Sequence, residues 1–229
     1  MIVKSLQIKQ ILLFPFRHPA LLWLAVCFSF VLYLGNSPAS IYDMQDPYWV
    51  VPIATLVLLS PLWHGLFILL MKGYYSKSPI SITEALGQAI PLYTRLFVGE
   101  ILVSLLVIGG ALLFFVPGAY FGLRASFYKQ AISIGGKTAI AGIRDSFTRT
   151  PGWRIPSMLL MLLSPFYALA FLFSYAVSAV TLGIIGEVLG VLVSALMFAW
   201  TNTLLTAIYL SQEKLISSQL SGEEAIRKD

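Results

Sequence analysis

Five stretches of this sequence are apolar for roughly 17 to 25 residues each, the length a helix needs to cross the hydrocarbon core of a bilayer. They cover residues 19–35, 49–71, 92–115, 155–180 and 187–210. A sixth stretch, 118–134, is weaker because Arg124 and Lys129 interrupt it. A chain with so many long apolar runs has no soluble solution. Of its 229 residues 58% are hydrophobic and only 11% charged, against about one quarter charged in soluble domains. A globular interior of this size cannot hide that much apolar side chain, so lipid must cover the remainder. The expected fold is all-α: a polytopic membrane bundle of about six transmembrane helices, with amphipathic helices at the interface.

The net charge of +5 raises nucleic acid as a partner, because clustered Lys and Arg neutralise phosphates. Here the basic residues fall in short segments between apolar runs, as membrane-flanking charges do, and no nucleic acid partner is expected. Cys27 is the one cysteine and lies within an apolar run. It has no disulfide partner and no metal-ligand companions, so no metal and no cofactor are expected.

Three segments read as interfacial helices. Residues 2–16 mix Lys4, Gln7, Lys9 and Gln10 with aliphatic side chains. Residues 81–90 open on Ser81 and Glu84, a capping-box pair. Residues 138–150 form the third. A cleaved leader over residues 1–40 is the weaker alternative, because 18 residues precede the apolar run and no clean cleavage site follows.

Orientation follows from the distribution of Lys and Arg in short loops. With six spans, Lys4, Lys9, Arg17, Lys72, Lys77, Lys137, Arg144, Arg149, Arg154, Lys214, Arg227 and Lys228 all fall on one side. That side is expected to be the cytoplasm, with both termini there and the polar segment 211–229 fraying as a tail. The opposite loops, 36–48 and 181–186, hold no Lys or Arg. Val116, Pro117 and Gly118 would turn the chain between the third and fourth spans, and Gly118 with Gly122 makes a small-residue face for close packing.

The segment 109–154, GGALLFFVPGAYFGLRASFYKQAISIGGKTAIAGIRDSFTRTPGWR, resembles the core of the membrane-domain family named for glycerophosphoryl diester phosphodiesterases and its stand-alone bacterial relatives. The shared outline is an apolar span, a Pro-Gly turn, a short span with a basic residue, and an amphipathic helix ending in Ser146, Thr150, Trp153 and Arg154. Upstream, Pro61-Leu-Trp-His-Gly65, Lys72-Gly73 and the helix from Ser81 also look like that family, so the resemblance spans roughly 50–165. It implies a six-helix bundle in a bacterial inner membrane. It does not imply phosphodiesterase activity, which in those enzymes belongs to a separate soluble barrel.

Few residues can carry chemistry. Glu100 and Arg124 reach nearly equal depth in adjacent antiparallel spans, so an ion pair between them is expected, and such intramembrane charges are paired or functional. His64 sits one turn after Ser60 on the same helical face. With a distant Glu these would outline a hydrolase, although no nucleophile elbow supports it. Lys137, Arg144, Arg149 and Arg154 form a basic set that would dock anionic lipid or a protein partner, with Trp49 and Trp153 as interface anchors. The expected function is therefore a non-enzymatic inner-membrane protein that binds lipid or protein in membrane organisation or complex assembly, alone or as a homo-oligomer. A small transporter or permease-like subunit built on Glu100, Arg124 and His64 is the alternative, and an intramembrane lipid hydrolase a remote one.

Overall fold

A computed structural model describes residues 8–35, 50–179 and 183–226. The expected interfacial segment before residue 8, the loop 36–48 with Trp49, and the end of the tail lie outside the described residues. Within them the chain is helical throughout: α1 (Ile8–Arg17), α2 (Pro19–Gly35), α3 (Val50–Tyr75), α4 (Ile82–Leu113), α5 (Phe115–Arg124), α6 (Tyr128–Ser133), α7 (Ala139–Arg149), α8 (Arg154–Ala179) and α9 (Gly183–Ile226). Four of these contain stretches long and apolar enough to cross a membrane: Val57–Tyr75, Ile82–Leu113, Arg154–Phe173 and Ile185–Ile216, with Pro19–Val31 a shorter apolar helix. The protein is an all-α bundle of membrane character.

Its interior and exterior are both apolar, as expected where lipid rather than water is the outer solvent. One core joins α2, α3, α4 and α9 through Leu21, Ala25, Phe67, Met71, Ala89, Ala195 and Ala199. The alanines let these backbones approach closely. A second core links α6, α8 and α9 through Phe127, Ala131, Leu159, Ile208 and Tyr209. On the outside, Leu112, Phe115 and Met161 are each more than three quarters exposed.

Three boundaries differ from the sequence expectation. The interfacial helix over 81–90 and the span over 92–115 form one helix of 32 residues, α4, about 48 Å long at 1.5 Å per residue. Pro91 forfeits only one backbone bond, close to exposed Gly87 where solvent can satisfy the lost carbonyl partner. The capping box at its start is formed: Ser81 Oγ accepts from Glu84 N, and Ser81 N donates to Glu84 Oε2 at 2.8 Å. The reversal after α4 falls at Phe114, and Pro117 lies inside the first turn of α5, where its missing N–H costs nothing. The tail from 211 does not fray at once. α9 continues to Ile226, anchored where Gln212 Nε2 donates to Arg149 O.

The fourth expected span, 118–134, is broken. It consists of α5 and α6 separated by a turn at Ala125–Phe127. The hairpin of α4 with α5 and α6 is antiparallel and tight. A Cβ on Gly110 would lie 2.9 Å from Gly118 Cα, and one on Gly99 would lie 3.0 Å from the Tyr128 ring. Gly122 is looser, with only Val107 near its hypothetical Cβ, at 3.5 Å.

Candidate functional site

The break between α5 and α6 frees backbone groups in the buried interior of the bundle, where protein must bond them. α7 supplies the partners. Ser146 Oγ donates to Arg124 O at 2.7 Å and accepts from Phe127 N at 3.0 Å. Thr150 Oγ1 lies 3.0 Å from Arg124 O and 2.7 Å from Ser146 O, so its one hydroxyl proton is shared between two carbonyls. Both residues are fully buried. The pair that stood out in the sequence as a Ser-x-x-x-Thr pattern therefore clasps the open ends of a discontinuous helix.

Arg124 does not pair with Glu100. Its guanidinium Nη2 donates to Phe147 O at 2.7 Å and Nη1 to the Tyr120 hydroxyl at 3.2 Å, while the plane stacks 4.7 Å from the Phe147 ring. Glu100 pairs with Lys129, Nζ to Oε2 2.9 Å and Nζ to Oε1 3.1 Å. The physical reason is register. The Gly110–Gly118 crossing sets which residues of the two arms face each other, and Glu100 and Lys129 lie at matching chain distances from the Phe114 turn. Depth measured from the inner helix ends misses this, because α6 is displaced from α5 by the break.

His64 is tied to its own helix, Nδ1 lying 2.8 Å from Ser60 O and 3.3 Å from Ser60 Oγ. The imidazole is walled by aromatic rings, 5.9 Å from Phe28 and 4.9 Å from Phe198. Lys129 is close enough to act on His64 electrostatically. Of the three intramembrane candidates, Glu100 and His64 thus belong to one neighbourhood with Lys129, and Arg124 belongs to the α7 clasp.

The four basic residues assigned to docking divide in two. Lys137 and Arg149 turn inward onto Asp145, Lys137 Nζ meeting Oδ1 and Arg149 Nε meeting Oδ2 at 2.8 Å. Tyr209 donates to the same Oδ2 at 3.3 Å, and the Arg149 guanidinium lies 4.2 Å from the Tyr209 ring centre. Burial of the Asp145 carboxylate works to raise its pKa. The hydrogen bonds from Lys137 and Arg149 and their charges outweigh it and hold the group below the ordinary aspartate value. Arg144 and Arg154 are exposed instead. Beside them Ile140 is 72% exposed, and Trp153 is 57% exposed with its ring 4.4 Å from Tyr120.

Sequence reading took Lys72 only as a charge marking one side of the membrane and passed over Arg95, and both cations build this end of the bundle. Lys72 Nζ donates to Ile134 O and Arg95 Nη1 to Gly136 O, so α3 and α4 hold the loop that follows α6. Both satisfy carbonyls at a helix C-terminus, where cations are favoured. The Gly135-Gly136 pair signals such an ending, and Gly136 adopts φ +64° there. No family model, curated protein or solved structure matches this chain. Among the described residues no group of His, Cys, Asp and Glu could hold a metal ion.

Proposed function

We propose that this protein is a non-enzymatic, multi-pass inner-membrane protein that binds anionic lipid at the basic end of its bundle and serves membrane organisation or the assembly of a complex. The observation that carries the reading is the division of the basic residues. Lys137 and Arg149 are both turned inward onto the one Asp145 carboxylate, whereas Arg144 and Arg154 stay exposed beside Ile140 and Trp153. Exposed cations interleaved with exposed apolar and indole side chains suit the headgroup layer, where anionic lipids attract each Lys or Arg by about 1 kcal/mol. In this proposal the basic end faces the cytoplasm of a bacterium, both termini lie there, and the chain belongs to the membrane-domain family that its 109–154 segment resembles.

The test is lipid retention. Full-length protein is reconstituted into vesicles of zwitterionic lipid with increasing anionic phospholipid, extracted gently and weighed by native mass spectrometry. Anionic lipid enriched on wild type and lost from an Arg144→Gln, Arg154→Gln variant is the expected result. Bound lipid that mirrors the vesicle composition in both proteins overturns it.

A second reading, a small transporter or permease-like subunit, is favoured by one observation: the Glu100–Lys129 pair inside a membrane-length hairpin, close to His64. Solute uptake into vesicles that Glu100→Gln abolishes would move the assignment there. For an intramembrane hydrolase the support is weakest, since Glu100 is engaged by Lys129 and His64 by its own helix.

A further inference from the structure

Asp145 holds two cations where one would balance its charge. Its Oδ2 receives Arg149 Nε at 2.8 Å and the Tyr209 hydroxyl at 3.3 Å, while Lys137 Nζ meets Oδ1. The two cations are not held alike. The Arg149 side chain is only 11% exposed, lies over the Tyr209 ring, and belongs to a residue whose carbonyl accepts from Gln212. The Lys137 side chain is 34% exposed. Its aliphatic stem passes over Gly135, with Cε 3.6 Å from the place a Cβ would occupy there. Beneath it the loop is pinned by Lys72 at the Ile134 carbonyl and by Arg95 at the Gly136 carbonyl. Lys137 can therefore leave Asp145 by side-chain rotation alone, on a backbone that stays in place, and leaving returns rotamer freedom to it.

Charge balance decides which cation is surplus. Without Lys137 the carboxylate still pairs with Arg149 and keeps both hydrogen bonds at Oδ2. Without Arg149 a nearly enclosed cation would be left unpaired, which is far less favourable. An ion pair with a third of one partner in solvent contributes little, of the same order as the attraction of one cation to an anionic leaflet. Neither contact holds Lys137 outright. Arg144, exposed, is the chain neighbour of Asp145, so a headgroup on Arg144 lies within reach of an ammonium leaving Oδ1. We infer that Lys137 is a further headgroup-binding cation held in reserve by Asp145, whose carboxylate competes with the phosphate of anionic phospholipid for it. In a leaflet poor in anionic lipid Lys137 stays on Asp145. As the anionic fraction rises, phosphate beside Arg144 draws the ammonium off, and Arg149 remains to join α7 to α9. The inference rests on the anionic-lipid reading of Arg144 and Arg154 and adds to it a response to lipid composition.

The experiment titrates full-length protein with phosphatidylglycerol against a phosphatidylcholine background and counts bound lipid by native mass spectrometry. Asp145→Asn frees Lys137 and is expected to raise phosphatidylglycerol affinity about fivefold, the factor for one cation near an anionic surface. Adding Lys137→Gln to Asp145→Asn should return the affinity to that of wild type. Adding Lys77→Gln instead removes the same charge from an exposed position away from Asp145 and should leave a larger affinity than Lys137→Gln does. No gain in Asp145→Asn overturns the inference, and so does a gain that survives Lys137→Gln, which is what a bare change in net charge gives. A measurement on the unsubstituted chain is independent of any folding defect. With its lysines carrying isotope-labelled methyl groups, which keep their charge, the Lys137 resonance is identified by its absence from Lys137→Gln. It should shift as phosphatidylglycerol replaces phosphatidylcholine in nanodiscs, and a resonance that does not respond overturns the inference. Failure of the anionic-lipid reading looks different, because Arg144→Gln, Arg154→Gln would then leave phosphatidylglycerol binding unchanged.

Discussion

Ser146 and Thr150 show how two small hydroxyl side chains can hold a broken helix. Ser146 alone partners one carbonyl and one N–H at the break between α5 and α6. A buried group left unmade costs about 1–3 kcal/mol. Ser146→Ala leaves Phe127 N without its partner while Arg124 O keeps Thr150, so it is expected to destabilise by about 1–3 kcal/mol, read as a lower unfolding midpoint in detergent, and a Ser146→Thr change should recover part of it. Asp145 yields a prediction in pH. Its folded pKa lies below that of the unfolded chain, so its contribution is present above the unfolded value of about 3.9 and is lost as pH falls through the folded value. Asp145→Asn should flatten the acid limb of a stability-against-pH curve and leave the neutral limb parallel to wild type. For Glu100 and Lys129 the expected signature is coupling. Either single neutralisation strands a charge, so the double variant Glu100→Gln, Lys129→Met should be less destabilised than the two singles added together, by more than about 1 kcal/mol.

The α4–α5 hairpin depends on the absence of a side chain at two positions. Gly110 and Gly118 are in backbone contact, and a Cβ on Gly118 would come 2.8 Å from Ala111 N. Gly118→Leu should therefore separate the arms, lengthen the Glu100–Lys129 contact and destabilise by about 1–3 kcal/mol or more. Gly122→Ala, with only an ordinary contact at Val107, should be nearly neutral. Thermal unfolding of the two variants side by side checks the contrast. The sequence showed both glycines as one small-residue motif. Only the crossing point distinguishes them, because it selects which of two residues a turn apart meets the opposing backbone. The capping box at Ser81 was legible because Ser-x-x-Glu is a local device, complete within one turn. The continuity of α4 through Pro91 was not, since a proline's effect depends on whether the carbonyl it frees finds another partner.

For the molecule as a whole, cations from separate segments gather at one end: Lys72 and Arg95 on the loop after α6, Lys137 and Arg149 on Asp145. With Cys27 replaced by alanine, single cysteines at Lys77 and Arg144 should react with an impermeant maleimide from the same side of oriented vesicles. One at Phe114, in the α4–α5 turn, should react from the opposite side. Labelling of Phe114→Cys and Arg144→Cys from one face would contradict the transmembrane placement of the hairpin. The membrane character, the helical class and the gathering of basic segments were all determined by sequence alone, because the length of an apolar run and the position of a charge are properties of the chain itself. Which charge meets which was decided only by tertiary structure. The Gly110–Gly118 crossing and the break after Arg124 set the register that joins Glu100 to Lys129, sends Arg124 to Phe147, and leaves Arg144 and Arg154 facing outward. Such pairings depend on relative displacement and rotation of packed helices, and local sequence holds no record of either.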